Sequence, residues 1–285
     1  MITSDQVRQR VRTLPSLPAS VLALGQAVAD ERCTVDRLMG ILAQDPGLSA
    51  TLLRLANSVA YSRDGRIMDL RGAVMRLGFD AIHQMGQAAA VLRAIRGGQH
   101  LDPLRLWQHS VAVGLVARSL CILAGRDRDR ETAYLAGLLH DIGKIALDHG
   151  FPEAYGPVVE ALAAGLTSLE AERALLGVTH AEVGALVARQ WHFPEPIAAA
   201  IQDHHAEASG DFLTCAVQLA DLLVRTRIPS GPADENLAFV LEEEPAFRVV
   251  FAAAKGADLD EERFTFGVDD ELDHAITFVK LVFQE

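Results

Sequence analysis

Apolar residues recur every three to four positions along almost the whole chain, and no stretch shows the strict alternation of a half-buried strand. The punctuation between the apolar runs is that of helices. Pro15 and Pro18 separate a short first helix from a second over about 19–30. Thr34 offers an N-cap to the next. Asp45 followed by Pro46 is a strong start, an N-cap residue with proline at the first helical position. A helix ending on Gly78 as C-cap is predicted next, then another from about 79 to 95. "RGGQHLDP" (96–103) is the best internal boundary, because Pro103 opens a new helix after a glycine pair. Beyond it the pattern predicts helices near 104–124, 131–147, 153–164, 168–175, 179–191, 195–205 and 212–226, then a loop over 227–236. "ELDHAITFVKLVF" closes the chain as an amphipathic helix, expected to pack through Ile276, Val279 and Val282. There is no internal repeat. The fold class is all-α with two helical lobes, the N-terminal one over 1–97 and the second a helical bundle over 98–227, followed by an acidic helical extension over 228–285.

Composition agrees with helices: half of the residues are apolar but only 6 % are aromatic, so the core is built mainly from Ala, Leu and Val. The best candidate for a membrane span, "VAVGLVARSLCILAG" from Val111, is interrupted by Arg118 and falls short of the ~20 apolar residues a span needs. The N-terminus lacks the layout of a secretion signal. A cytoplasmic location without membrane association is therefore expected. The net charge of −12 is concentrated at the end, where 14 acidic residues face 4 basic ones from Gly231 onward, against 24 and 22 before it. That balance excludes the basic footprint of a nucleic-acid binder. Cys33, Cys121 and Cys215 form no CxxC pair and read as small buried hydrophobes.

Candidate chemistry comes from ionisable residues on apolar faces. His109 shares a stripe with Val113, Val116, Leu120 and Leu123; taken alone, it reads as a hydrogen-bonded core histidine. In "LLHDIGK" (138–144), His140 and Asp141 follow two leucines, and Lys144 lies one turn beyond His140. A buried carboxylate needs a partner, so Asp141 calls for a cation that His140 can help hold. Asp221 in "CAVQLADLLV" poses the same problem, although an arginine or a helix N-terminus answers it equally well for either aspartate. Thr179 and Glu182 form a capping box that puts His180 in the first turn of a helix, with Gly184 on its face leaving room for something bulky. His204 and His205 end the next helix, where alone they complement its dipole. Together, five histidines and two aspartates on separate inward faces make a mixed nitrogen and oxygen set suited to Fe, Mn, Ni, Zn or Co, and numerous enough for two ions. His83, His100, His149, His192 and His274 lack this context and read as structural or surface residues.

The order His109, His140-Asp141, Asp221, with "HDIGK" as its core, resembles the HD superfamily of metal-dependent phosphohydrolases. His180 and His204-His205 resemble the larger ligand set of the HD-GYP branch, which hydrolyses cyclic di-GMP. After the histidine pair, however, the chain reads "HHAEASGDFLTCAVQLAD", without the Gly-Tyr-Pro segment of that branch. The N-terminal lobe, through "LPSLPASVLAL", "ILAQDPGLSATLLRLANSVAYS" and "AVMRLGFDAI", is similar to the opening of the HDOD domain, an HD-related output domain of bacterial signalling proteins, over roughly 8–225. This resemblance implies an HD-like second lobe and a regulatory protein in a response-regulator or similar pathway. It implies action through a signalling partner protein or a nucleotide, with a retained site for one or two divalent transition-metal ions (Fe, Mn, Ni or Zn). The ligands implied are His109, His140, Asp141, His180, His204, His205 and Asp221. The alternative is a metal-dependent phosphohydrolase acting on a nucleotide or cyclic dinucleotide, in which Asp141 anchors the metals and Lys144 meets a phosphate oxygen. With the HDOD landmarks starting near the first residue, the chain is expected to act as a separate partner or as a piece of a larger product.

Overall fold

A computed structural model describes residues 1–28, 30, 32–58, 66–94, 98–206, 210–228, 240–252 and 261–283, with side chains of the last segment from 267 onward. Among these there is no strand. The chain divides into two compact units, Met1–Leu14 with Gly97–Ala275, and Pro15–Arg96 with Ile276–Glu285.

The smaller unit is built on α2 (Ala19–Val28), α3 (Val35–Leu42), α4 (Pro46–Ala56) and α5 (Leu70–Ala94). Their starts follow the local chemistry: Thr34 accepts the N–H of Arg37, and Asp45 accepts that of Leu48 with Pro46 at the first helical position. Gly78 has φ +87°, so α5 is two helical segments joined at a residue whose left-handed backbone suits glycine, as the sequence predicts. Leu24, Leu38, Leu52, Leu55, Ile82 and Val91 are fully buried between these helices. Asn57 fastens the end of α4 by giving and taking a hydrogen bond with the Ile67 backbone, both at 2.8 Å.

The larger unit contains α1 (Ser4–Arg12), α6 (Pro103–Leu123), α7 (Arg130–Leu139), α8 (Ile142–Gly150), α9 (Pro152–Ala163), α10 (Ser168–Leu175), α11 (His180–Gln190), α12 (Glu195–Asp203), α13 (Phe212–Arg225) and α14 (Pro245–Phe251). α15 (Glu261–Phe283) follows. α6, capped by Asp102, lies against α7 and α13, while α11 packs on α8 and α12. By length and composition alone α6 could cross a membrane, in contrast to the sequence expectation, but 72 % of its apolar window is buried inside the protein. The stripe from His109 is inward at Val113, Val116 and Leu120, whereas Leu123 at the helix end is exposed. α15 buries Val268, Leu272, Ala275, Val279 and Val282 at helical spacing, with Ile276 only half-buried. Ser119 and Arg227 bond to its Glu271 and Asp269 at 2.8 and 3.2 Å. Cys121 and Cys215 are buried, but Cys33 is only partly so. Most of the loop predicted over 227–236 lies outside the described residues.

One expected helix is broken. The stretch read as a single helix near 131–147 is α7 and α8, meeting at His140 and Asp141. The Lys144 N–H closes a short turn on the Asp141 carbonyl at 2.9 Å, which turns both side chains into the interior. The break also brings Gly143 against α11. A Cβ built there would lie 1.9 Å from the His180 carbonyl oxygen and 2.7 Å from the Gly184 nitrogen. The room left by Gly184 is therefore filled by the α8 backbone and Ile201, not by a bulky ligand. α6 and α7 approach as closely, a Cβ on Gly137 falling 2.8 Å from the Gly114 Cα.

Two consequences can be measured. Gly143→Ala cannot be relieved by a side-chain rotation, since the obstacle is backbone, and is expected to cost about 3 kcal/mol in denaturant unfolding. Gly40→Ala, where nothing lies within 4 Å of the added carbon, serves as the tolerated control. In the smaller unit, burial pushes the His83 pKa down to about 4 against the opposing charge of Asp80, and its Nε2 has no hydrogen-bond partner. Its folded value lies below its unfolded value of 6.5, so its contribution is complete above pH 6.5 and is lost as pH falls toward 4. His83→Gln is expected to remove up to about 3 kcal/mol of that decline from urea-unfolding profiles taken across this window; profiles that superimpose would refute the assignment.

Candidate metal centre

Five places in the larger unit carry the candidate side chains: the α7–α8 break, the first turn of α11, the end of α12, and the bodies of α6 and α13. His109, His140, Asp141, His180, His204 and Asp221 are all buried, and His205 is partly exposed. They converge around the two oxygens of Asp141.

The first group gathers on the Oδ2 side. His109 Nε2 is 3.1 Å from Asp221 Oδ1, 3.3 Å from His140 Nε2 and 3.8 Å from Asp141 Oδ2. His140 Nε2 is 3.4 Å from Asp141 Oδ2 and 3.7 Å from Asp221 Oδ1. The second group gathers on Oδ1. His180 Nε2 is 3.0 Å from His205 Nε2 and 3.3 Å from Asp141 Oδ1, and His204 Nε2 is 4.0 Å from the same oxygen. An ion with bonds of ~2.1 Å holds neighbouring donors about 3.0–3.4 Å apart. Both groups match or slightly exceed that spacing, with Asp141 shared between them.

Two kinds of observation fit a cation here. First, Asp141 Oδ1 and His204 Nε2 are buried and have no hydrogen-bond partner, although such groups are normally satisfied. Second, the outer nitrogens are already engaged so that Nε2 is left as the donor. His140 Nδ1 donates to the Gly137 carbonyl and His204 Nδ1 to the Ile201 carbonyl, each at 2.7 Å. His180 Nδ1 donates to Glu172 Oε2 at 2.7 Å. Such outer bonds fix the tautomer of metal-binding histidines.

Charge states agree. Burial opposes ionisation of Asp141, but His140 and Lys144 outweigh it and hold the carboxyl well below the usual range. Asp221 is likewise held low, burial being outweighed by its hydrogen bond with His109. Burial, then the neighbouring histidines, keep His204 far below its ordinary value, and burial with His180 takes His205 down to about 3. Ionised carboxylates and neutral imidazoles are the forms that bind metal. His140 is the exception, raised because Asp141 and Asp221 overcome its burial.

Lys144 lies within reach of Asp141, not His140, with Nζ 2.7 Å from Oδ2. Burial disfavours its charge, but Asp141 more than restores it. The other five histidines lie outside both groups. His149 and His192 are exposed, His100 meets the Pro152 carbonyl at 3.0 Å, and His274 faces Glu271 at 3.4 Å. Sequence reasoning missed Glu172, which is fully buried behind His180. Its signal was a carboxylate one turn before Leu176, on the apolar face of α10, the same signal that marked Asp221. His205 borders a surface cleft of about 260 Å³ lined also by Leu169, Arg173, Thr179, Glu182 and Gln202.

The fold has relatives. A family model for the HDOD domain matches residues 14–207. This chain belongs to the HDOD family. A crystal structure of an HDOD domain protein of unknown function from Geobacter sulfurreducens superimposes with a TM-score of 0.82 at 26 % identity, covering 99 % of this HDOD chain and all of that one. A Shewanella amazonensis SB2B protein, whose name proposes a phosphohydrolase, superimposes at 0.76 and 26 % identity over 97 % and 98 % of the two chains. An uncharacterized Treponema pallidum protein is 26 % identical over 208 residues. The HDOD chain spans 39 % of that relative's length.

Proposed function

We propose that this HDOD chain is a bacterial signal-transduction module that holds one or two divalent transition-metal ions and acts by binding a signalling protein or a nucleotide. The observation that carries the reading is the convergence of His109, His140, Asp221, His180, His204 and His205 on the two oxygens of Asp141, with buried donor atoms left unsatisfied. His109, His140, Asp141 and Asp221 would hold one ion; His180, His204 and His205 would hold another with the second oxygen of Asp141. A bound divalent ion supplies Lewis acidity and lowers the pKa of coordinated water, the chemistry that phosphate-ester hydrolysis needs.

Binding is favoured over turnover by how closed the cluster is. Of the seven groups only His205 reaches the surface, and closed donor sets are the mark of structural centres, whereas catalytic ones keep an open position. Lys144, the side chain best suited to a phosphate oxygen, is engaged with Asp141. The phosphohydrolase reading retains one supporting observation, the cleft beside His205, and the name of the Shewanella relative points the same way.

Elemental analysis of protein purified without chelator is expected to find at least one equivalent of transition metal per chain, and Asp141→Ala to abolish it. Metal-free wild-type protein would overturn the reading. Incubated with cyclic dinucleotides and phosphate esters plus Mn²⁺ or Fe²⁺, the protein is expected to release no more product than the metal alone. Turnover that disappears in Lys144→Ala would instead establish the hydrolase.

A further inference from the structure

We infer that Glu172, acting through His180, enables the histidine-rich half of the centre to hold an ion of its own, so that loss of its charge leaves the protein with one tight site instead of two. The inference rests on the metal reading above.

The two halves are unequal in charge. Around His109 and His140 stand two carboxylate oxygens from different residues, Asp141 Oδ2 and Asp221 Oδ1. Among the described residues, the carboxylate oxygen within 4.0 Å of the Nε2 atoms of His180 and His204 is Asp141 Oδ1, belonging to a carboxylate already shared with the first half and with Lys144. Three imidazoles and part of one negative charge bring less negative charge to a dication than the first half does.

Glu172 supplies what is missing. Its Oε2 accepts both the backbone N–H and the Nδ1–H of His180, each at 2.7 Å. Those two bonds fix the ring by its own backbone and leave Nε2 bare, aimed at Asp141 Oδ1 and His205. A carboxylate behind an imidazole also makes the opposite nitrogen a stronger donor. The contrast with the other ligands is direct: His140 and His204 lean on neutral backbone carbonyls. Glu172 is also a problem without an ion. It is 0 % exposed and its ion pair among the described residues is with His180; the Tyr155 hydroxyl and Lys144 also lie near enough to act on it, but Lys144 is already bound to Asp141. A dication on the far side of that imidazole is the counter-charge that makes a buried anion tolerable.

Glutamine at this position separates charge from orientation, because its carbonyl oxygen can accept the same two hydrogen bonds. Stripped full-length wild type and Glu172→Gln are titrated with Co²⁺ by calorimetry, with the visible absorption of the ion followed in parallel. Wild type is expected to take two equivalents. The variant is expected to keep the first unchanged, with its absorption, and to bind the second about 10–100-fold more weakly. Metal-free circular dichroism and thermal midpoint are expected to stay close to wild type, which separates this positioning role from a merely structural one. If Glu172→Gln does not fold, Glu172→Asp, which keeps the charge but withdraws it from His180, is held to the same criterion. Two unchanged equivalents in the variant, equal weakening of both, or a single equivalent in the wild type would each overturn the inference. A wild type that binds no Co²⁺ would instead remove the metal reading on which it stands.

Discussion

Asp141 carries an ionised carboxylate into a helical interior where only 2 % of its surface meets solvent. An uncompensated charge in such a place costs several kcal/mol, more than most single contacts return. The surrounding unit is arranged around that requirement. Lys144 answers one oxygen directly, and five histidines and Asp221 assemble from α6, α11, α12 and α13 around both. Asp221 and Glu172 add two further buried acids to the buried Lys144, with Arg225 3.7 Å from Asp221 and His140 held toward its charged form. A divalent ion would add positive charge there and use the donor atoms that the side chains leave free.

The backbone makes this arrangement possible by close approach. Were α7 and α8 one continuous helix, Asp141 would sit on a regular helical face with its neighbours three and four residues away. The break at His140-Asp141 turns both side chains inward and lets Gly143 touch the His180 carbonyl. One crossing thus places three ligands at once. The glycine of "HDIGK" is a steric requirement on the α8–α11 contact, independent of any chemistry the motif performs. It ties site geometry to core packing, so a change in one is felt in the other.

What could be read from the sequence was local. Helix starts at Asp45-Pro46, Pro103 and Thr179 with Glu182 were visible because a cap and the N–H that it accepts, or a proline at the first position, lie within three residues. His109 and Asp221 were visible because each breaks an apolar stripe of its helix, His140-Asp141 because they follow an apolar run, and His180 and His204-His205 by their places at helix ends. What stayed hidden depends on partners far along the chain. The α7–α8 break is set by packing on α11, some 40 residues on, and helical spacing alone continued through it. That spacing also paired Lys144 with His140, whereas the broken geometry gives it to Asp141. α1 packs on α8 and α11, a return that chain order does not announce. Glu172 obeyed the rule that exposed Asp221, but its meaning lies in His180, eight residues away across a turn.

Among the described residues, the most exposed member of the cluster is His205. His109, His140 and Asp221 are enclosed by α6, α7 and α13, while His205 lies at the edge of the cleft between α10, α11 and α12. A molecule coming from solvent therefore meets the three-histidine half first, and the two-aspartate half lies behind Asp141. The half nearest solvent is also the half with less charge of its own, and Glu172 supports it from within. On the proposed reading, an inner ion would keep the fold and the charge balance, and a weaker outer one would respond to what reaches the cleft. A hydrolase needs more, because substrate must displace solvent at an open coordination position and meet a free cation. Here Lys144 is bound to Asp141, and Arg173, in the cleft beside His205, is bound to Glu182.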